Sequence, residues 1–351
     1  MAPADRIDAL GKHLRPQPKI TLTRLLWVSY AHARAHMPAA LKFYADFGLY
    51  LVPHGTSPTV FYLRGYGRDA FCLRAVSADT DAFDGAAFEV ACAQDLERAA
   101  AMLPGASAVC ELDAPGGGRY VRFSDPVDGW AVYLVHGQRE TEELAVEFPT
   151  GQVNYPQEKG RKTGMTQRFE KRPAPVHKVG HFGVCTTDFE RAFEFYTRTF
   201  NMIPSDLIHN AEGRNFHTFL RLNRGPQPVD HHCFFLFQGP QFHIHHSSFE
   251  THDFDTQVLG HDWLRKQGYR NCWGVGRHIM GSQIFDYWFD PSGFILEHYV
   301  DGDMVDSSVP ANHILAAPDN LHVWGGYIQE SGCRDGMLTD LGPDVPASFL
   351  A

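Results

Sequence analysis

The sequence predicts an α+β fold of two similar halves, each a curled mixed sheet around a central space. Two internal repeats indicate the halves. Residues 43–49 (FYADFGL) resemble residues 195–201 (FYTRTFN), and each of these segments closes a helix-like stretch that follows a strand-like one. Residues 121–133 and 287–297 each combine an aromatic strand, an Asp-Pro turn with a nearby glycine and a second apolar strand, which is a hairpin pattern. Self-similarity of this kind indicates duplicated modules.

The order of elements supports this fold class. In each module a strand is followed by a helix and then by several strands, and we expect a pair of such modules in each half. The first strands are predicted at residues 25–30 and 180–186. Further predicted strands are 59–63, 71–75, 216–221 and 233–237, and further predicted helices are 95–102 and 256–267. The run Gly116-Gly117-Gly118 precedes a strand and not a helix, so it predicts a tight turn rather than a phosphate loop.

Length and charge narrow the class of protein. The 351 residues are enough for two domains, and 44% hydrophobic with 21% charged residues is typical of a soluble globular protein. The net charge of -10 argues against nucleic acid as the main partner, because phosphate binding needs a concentrated cationic face. The one local excess of basic residues, at 159–178, is interleaved with Pro and Gly and predicts a solvated linker.

The cysteines and the apolar runs bear on the compartment. Seven cysteines occur singly without a CxxC pair, which predicts free thiols in a reducing compartment, and Cys92, Cys185 and Cys233 lie in apolar runs that predict the core. The N-terminus has no apolar signal core, and no stretch approaches the roughly 20 apolar residues of a membrane span. We therefore expect a cytoplasmic protein with no membrane partner.

Three polar positions on predicted strands are candidate metal ligands. His181 is the second residue of an apolar strand, and Glu297 ends another, where an unpaired carboxylate would be costly. The adjacent pair His245 and His246 opens a third strand, and one of the two must face inward; the residues alone leave the choice open. Two imidazoles and one carboxylate on one face leave three positions open, which suits a non-haem Fe(II) that holds a bidentate substrate together with O2.

A more specific pattern surrounds Glu297. Residues 276–278 read Gly-Arg-His, residues 285–293 read FDYWFDPSG, and Glu297 follows. This pattern resembles the signature of the type I extradiol ring-cleavage dioxygenases of the vicinal oxygen chelate superfamily, a family that includes catechol 2,3-dioxygenases and 2,3-dihydroxybiphenyl 1,2-dioxygenases. The resemblance covers about residues 177–301 in detail and the N-terminal half only in plan. It implies the glyoxalase-like fold of paired βαβββ modules.

The resemblance implies the ligand set. The first ligand in the family follows a glycine at a strand opening, which matches His181, and the second is the latter of a His-His pair, which selects His246 over His245. The third is Glu297. In the N-terminal half the matching positions are Leu26 or Trp27 and Tyr133, so that half is expected to be a metal-free duplicate.

The resemblance also implies a reaction and the residues that perform it. The protein would insert both atoms of O2 into a catechol-type aromatic diol bound to Fe(II), with Mn(II) as the less favoured metal, in aromatic compound degradation. His232 matches the acid/base, with His231 as a one-residue alternative, and His278 and Tyr287 match residues that contact the bound diol or support the ligands. Residues 279–281 (IMG) are bulkier and less polar than the run common in the family, which leaves the substrate open.

The sequence leaves two alternatives to this function and predicts four segments. The alternatives are another metal-dependent enzyme of the superfamily and a non-catalytic aromatic-binding protein on the same scaffold. The segments are a metal-free domain (1–150), a linker (151–176), a catalytic metal-binding domain (177–301) and a tail that packs on the catalytic domain or on a subunit interface (302–351). We expect a small aromatic diol as substrate and a homo-oligomer.

Overall fold

The computed structural model describes residues 18–55, 57–148, 152–317 and 320–325. Most of its strands belong to two large mixed sheets. In chain order, the elements are β1 (Leu22–Ala33), α1 (Met37–Asp46), β2 (Tyr50–Val52), β3 (Val60–Arg64), β4 (Leu73–Ala78), β5 (Ala82–Val90), α2 (Ala93–Met102), β6 (Cys110–Glu111), β7 (Arg119–Ser124), β8 (Ala131–His136), β9 (Val179–Thr186), α3 (Phe189–Thr199), β10 (Met202–His209), β11 (Asn215–Leu222), β12 (Val229–Asp230), β13 (Phe234–Gln238), β14 (His243–Glu250), α4 (Phe254–Gln267), β15 (Asn271–Arg277), β16 (Ile284–Phe289), β17 (Ile295–Val300), β18 (Met304–Val305), β19 (Asn312–Leu315) and β20 (Trp324–Gly325).

The two sheets repeat one strand order. The first sheet runs β2-β3-β4-β1-β5-β8-β7-β6 and the second runs β19-β10-β11-β13-β9-β14-β17-β16-β15-β20. Each sheet contains two modules, and the first strands of its two modules lie side by side and antiparallel. These strands are β1 and β5 in the first sheet and β9 and β14 in the second. Each of them pairs on its other side with a parallel strand. Each module therefore reads β-α-β-β-β, and the predicted α+β fold of duplicated mixed-sheet modules is confirmed.

Local signals explain where the helices begin and end. The side chain of Asp188 accepts a hydrogen bond from the backbone N–H of Arg191 at the start of α3, and Asp253 caps α4 in the same way. α4 ends at Gly268, whose φ of 83° is a left-handed conformation that glycine adopts at low cost. The predicted helices 95–102 and 256–267 start within two residues of the observed α2 and α4 and end at the same residues.

The repeated sequence motifs join the two halves crosswise. The hydroxyl of Tyr196 on α3 donates to Asp125 Oδ2, in the turn after β7, at 2.7 Å. The hydroxyl of Tyr44 on α1 donates to Asp290 Oδ2, in the turn after β16, at 3.4 Å. All four residues are buried. The tyrosine of each Phe-Tyr motif thus donates a hydrogen bond to the aspartate of the Asp-Pro turn in the other half. The repeated motifs that indicate the duplication therefore also contribute contacts between the two halves.

The cysteine prediction is correct for two of three residues. Cys185 and Cys233 are buried, whereas Cys92 is partly exposed because it lies at the N-terminal end of α2, outside the apolar interior. The six cysteines among the described residues are free thiols.

The described part of the predicted tail adds strands to the second half. β19 pairs with β10, β20 pairs with β15, and β18 forms a small separate ladder with β12. This part of the tail therefore packs against the second half, while residues 326–351 lie outside the described residues. The predicted boundaries of the four segments stay a prediction. Across the described ranges, no helix has the length and apolar character that crossing a membrane requires.

Candidate metal centre

The three predicted ligands lie together in the second half. The Nε2 atom of His181 is 3.1 Å from Glu297 Oε2 and 3.2 Å from the Nε2 atom of His246, and the latter is 3.3 Å from the same carboxylate oxygen. One donor atom from each residue therefore lies within 4.8 Å of the others. Glu297 is fully buried, and the two histidines are 2% and 4% exposed.

Strand register accounts for this convergence. His181 on β9 pairs with Ser248 on β14, and Ser248 pairs with Glu297 on β17, so the three residues form one row across the sheet. His246 precedes Ser248 by two positions and pairs with Gly183. Because side chains alternate between the two faces of a strand, His246 points to the same face as this row.

The triangle of donor atoms fits a metal ion. Ligands bound about 2.1 Å from an ion and roughly at right angles to one another lie roughly 3 Å apart, close to the three separations between His181, His246 and Glu297. Burial alone would raise the pKa of Glu297, but the hydrogen bonds and electrostatic interactions with His181 and His246 lower it well below its usual value. Burial lowers the pKa of His246 despite the nearby carboxylate. An ionised carboxylate and neutral imidazoles are the forms that bind metal.

A cavity of about 200 Å³ adjoins these donors. Its lining comprises His181, Phe216, His217, Phe219, His232, Phe235, Phe237, Gln238, His245, His246, His278, Met280, Gln283, Tyr287 and Leu321. The contributing strands extend from β11 to β16, five strand spacings of about 4.8 Å, or roughly 24 Å in a flat sheet. Side chains from both ends reach one small cavity, so the sheet curls around it.

The adjacent histidines 231 and 232 have different surroundings. His232 lines the cavity, with its ring centroid 4.1 Å from that of His181. Burial first, and then the neighbouring histidines, lower its pKa well below the usual value, so the imidazole is neutral. His231 lies behind it: its Nε2 atom is 2.9 Å from Asp206 Oδ2, and its Nδ1 atom is 3.1 Å from His232 Nδ1. Of the two predicted alternatives, only His232 borders the cavity.

His278 and Tyr287 form a hydrogen-bonded pair on another side of the cavity. Burial lowers the pKa of His278 to about 4, so its ring is neutral and carries one N–H. The Nδ1 atom lies 2.6 Å from the carbonyl oxygen of Leu321, which can only accept, so Nδ1 is the donor. Nε2 must then accept from the Tyr287 hydroxyl, 2.8 Å away. Leu321, from the predicted tail, thus sets the tautomer of His278.

Sequence reasoning missed several residues of the cavity, notably His217. His217 lies on β11 in alternation with Phe219. Alternation in the predicted strand 216–221 could have placed these two residues on one face, although nothing identified that face as the cavity side. His245 adjoins His246, with Nδ1 atoms 2.7 Å apart, yet it lines the cavity without entering the donor triangle.

The first half has aromatic rings at the equivalent positions. Trp27 on β1 pairs with Ala87 on β5, which pairs with Tyr133 on β8, and this row matches the row of His181 and Glu297 in the second half. Trp27, and not Leu26, is therefore the counterpart of His181. The rings of Trp27 and Tyr133 are 5.0 Å apart. The counterpart of His246, two residues before Ala87, is Gly85.

Comparison with known proteins agrees with this fold and site. Residues 178–298 match the model of the Glyoxalase/Bleomycin resistance protein/Dioxygenase superfamily. Metapyrocatechase 2 of Cupriavidus necator is 27% identical over 178 residues, which are 50% of this chain and 53% of that protein. The chain therefore matches about half the length of this relative.

Solved structures with the same fold cover most of the chain. The Mn(II)-bound glyoxalase from Novosphingobium aromaticivorans has a TM-score of 0.72 and 22% identity, covering 87% of this chain and 91% of its own. Homoprotocatechuate 2,3-dioxygenase from Arthrobacter globiformis has a TM-score of 0.70 and 19% identity, covering 88% and 89%. The Brevibacterium fuscum enzyme of the same name, in complex with 3,4-dihydroxyphenylacetate, has a TM-score of 0.71 and 18% identity, covering 90% and 92%. The resemblance to extradiol dioxygenases predicted from the sequence is confirmed.

Proposed function

We propose that this protein is an extradiol ring-cleaving dioxygenase, which inserts both atoms of O2 into a catechol-type aromatic diol in the degradation of aromatic compounds. The observation that carries the proposal is the buried triangle of His181, His246 and Glu297 beside a cavity. The match to Metapyrocatechase 2 and the shared fold with two homoprotocatechuate 2,3-dioxygenases support it.

The donor set fits non-haem Fe(II). His181, His246 and Glu297 would hold the ion next to the cavity, where it would be accessible to the substrate. When bound, Fe(II) supplies a redox-active centre that brings an electron-rich diol and O2 together. Mn(II) accepts a similar ligand set and is the alternative metal, as in the Mn(II)-bound glyoxalase of the same fold.

The remaining polar residues of the cavity handle protons and position the diol. His232 borders the cavity as a neutral imidazole, which is the form that can accept a proton from the substrate and return it later. His278 and Tyr287 are held by their mutual hydrogen bond, so they present a fixed surface to the diol. A cytoplasmic location and a homo-oligomeric state stay predictions from the sequence.

A second candidate is a metal-dependent isomerase of the glyoxalase type, because a glyoxalase has the highest TM-score of the structures described above. Such an enzyme rearranges its substrate without consuming O2. O2 consumption therefore separates the two candidates. It also separates both from a protein that only binds aromatic compounds.

The test is O2 uptake by protein purified anaerobically and loaded with Fe(II). We expect uptake of one O2 for each diol, with formation of a yellow semialdehyde or ketone product, in a panel of mono- and bicyclic diols. The matched control is His246→Ala protein treated in the same way, which should take up none. Absence of uptake by the unaltered protein with every diol would contradict the proposal.

A further inference from the structure

Three buried polar side chains form a row that leads away from the cavity. His232 borders the cavity, and its Nδ1 atom lies 3.1 Å from Nδ1 of His231. On the far side of His231, the Nε2 atom lies 2.9 Å from Asp206 Oδ2. His232, His231 and Asp206 are 3%, 7% and 1% exposed. Because water has little access to these side chains, the polar atoms of the row must satisfy one another.

The carboxylate of Asp206 has one oxygen left for His231. Its Oδ1 atom accepts a hydrogen bond of 3.0 Å from Asn312 Nδ2, which lies on the neighbouring strand β19. The backbone oxygen of Asp206 accepts one of 2.8 Å from the hydroxyl of Thr218. Across the residues that the structure describes, Oδ2 has no hydrogen-bond donor beside it other than the His231 ring. The two sides of the carboxylate therefore have separate partners.

The donors and acceptors of the row fix the position of one proton. A carboxylate oxygen only accepts, so Nε2 of His231 carries a proton and donates to Asp206. A neutral His231 then has a lone pair on Nδ1, which accepts from Nδ1 of His232. Because the imidazole of His232 is neutral and has a single N–H, its Nε2 atom is unprotonated. Since Nδ1 of His232 contacts His231, Nε2 is the nitrogen left for the cavity.

We infer that Asp206 is a positioning residue, which acts through His231 to keep Nε2 of His232 free of a proton and available to the substrate. This inference rests on the proposed function, because it assumes that His232 is the acid/base. In this form Nε2 accepts a proton from a diol hydroxyl, whereas the other tautomer presents an N–H that cannot accept one. A cationic His231 would impose that other tautomer, since both of its ring nitrogens would donate.

The first experiment identifies the tautomers by NMR and needs no turnover. Full-length protein is isotopically labelled in its histidine rings and loaded with Zn(II), a diamagnetic ion that binds histidine and carboxylate ligands. Two-bond nitrogen–proton correlations show which ring nitrogen carries the proton, and spectra of His231→Phe and His232→Ala assign the signals. We expect His232 to be protonated at Nδ1 and His231 at Nε2. A proton on Nε2 of His232, or on both nitrogens of His231, would overturn the inference.

Two variants interrupt the row at different points. Asp206→Leu removes the acceptor at similar size, and His231→Phe replaces the connecting ring by one without nitrogen. We expect Asp206→Leu to show a mixture of both His232 tautomers. In each variant kcat of Fe(II)-loaded protein should fall about tenfold, while KM for the diol stays within about twofold, because neither residue lines the cavity. The matched control is Asp95→Leu, which removes a similarly buried carboxylate from α2 and should leave kcat and the tautomer unchanged.

A double variant tests whether Asp206 acts only through His231. Asp206→Leu combined with His231→Phe should have the same kcat as His231→Phe alone, because the second change removes a link that is already broken. Thermal unfolding identifies any variant that does not fold, and His231→Phe tests the row even if Asp206→Leu does not fold. A further loss in the double variant, an unchanged tautomer in Asp206→Leu or an unchanged kcat in His231→Phe would each contradict the positioning role.

These outcomes are distinct from a failure of the proposed reaction. If the unaltered protein takes up O2 while Asp206→Leu and His231→Phe keep its kcat, the positioning role is wrong and the reaction stands. If no diol gives O2 uptake while the tautomer of His232 depends on Asp206, the row is as inferred and the proposed reaction fails.

Discussion

The two halves share one scaffold, and the row of side chains across the middle of each sheet differs in chemical character. In the second half this row carries His181 and Glu297, and in the first half the equivalent positions carry Trp27 and Tyr133. The aromatic pair fills its space with rings 5.0 Å apart, whereas the polar pair lies beside a cavity. Burying ionisable groups costs stability that rings do not cost, so the first half shows how the scaffold packs when aromatic rings replace the ionisable pair.

The two halves also differ in the backbone at the position of the ligand His246. His246 corresponds to Gly85, which has a φ of +119°, and a Cβ there would lie 2.2 Å from the carbonyl oxygen of Ala131. No side chain fits at residue 85 without moving the strand. In the first half, the backbone therefore prevents a ligand at the position equivalent to His246, and aromatic side chains occupy the positions equivalent to the other two ligands.

The largest effect should follow from removing a ligand from the second half. His246→Ala deletes one corner of the donor triangle, and we expect metal affinity to fall by more than about 100-fold, because even residues outside the ligand set cost about 10- to 100-fold. The metal content of purified protein, measured by mass spectrometry, checks this. His243→Ala is the matched control, since it removes another histidine of β14 that does not line the cavity, and it should keep its metal. Equal metal loss in both variants would contradict the assignment.

The next effect should separate catalysis from metal binding. His232→Ala should keep the metal but lower turnover by about 10²- to 10⁴-fold, the usual contribution of a general acid/base. His231→Ala removes the neighbour that lies between His232 and Asp206, and it should lower turnover less, because His231 does not border the cavity. Steady-state rates of metal-loaded protein measure both. A larger loss in His231→Ala would reverse the two roles.

The comparison of halves explains which features could be predicted from sequence. The fold class followed from the duplicated motifs, and the predicted strand 180–186 differs from β9 by one residue. Strand β10 was not predicted, and its pattern is irregular because a bulge between Pro204 and Asp206 shifts the register. Leu26 and Trp27 could not be separated for the same reason, since a bulge lies between Leu25 and Trp27 and changes which side chain faces inward.

For the residues of the candidate site, too, only part could be predicted from the sequence. His246 could be preferred over His245 only through a family signature. Strand alternation turns one of two adjacent residues inward but does not show which one. His217 carried no sequence signal: a single histidine in an aromatic strand is ordinary, and its importance depends on a cavity bounded by distant strands. Residues that belong to a recognisable sequence signature could be predicted. Residues that reach the cavity only because the sheet curls, such as His217, could not.

A smaller effect, on stability, should follow from replacing Trp27 in the first half by histidine, the residue at the equivalent position of the second half. Trp27→His replaces a buried ring by a smaller polar one, and we expect the free energy of unfolding to fall by about 3 kcal/mol, within the range for truncating large buried aromatic residues. Chemical denaturation measures the loss. Metal content should stay at one ion per chain, because Gly85 cannot supply a further ligand. A second bound ion would show that the first half can bind metal after all.

The smallest effect should distinguish the two crosswise hydrogen bonds between the halves. Tyr196→Phe removes a buried bond of 2.7 Å to Asp125, whereas Tyr44→Phe removes a bond of 3.4 Å to Asp290 together with one of 2.8 Å to His32 Nε2. We expect Tyr196→Phe to lower the free energy of unfolding by about 1.5 kcal/mol and Tyr44→Phe by about 1 kcal/mol, nearly all of the latter from the bond to His32, since a long bond contributes little. Denaturant titrations of the two matched variants measure the difference. In a His32→Phe background, Tyr44→Phe should cost about 0.5 kcal/mol or less, and a larger loss there would mean that the α1 contact is a strong hydrogen bond across the interface.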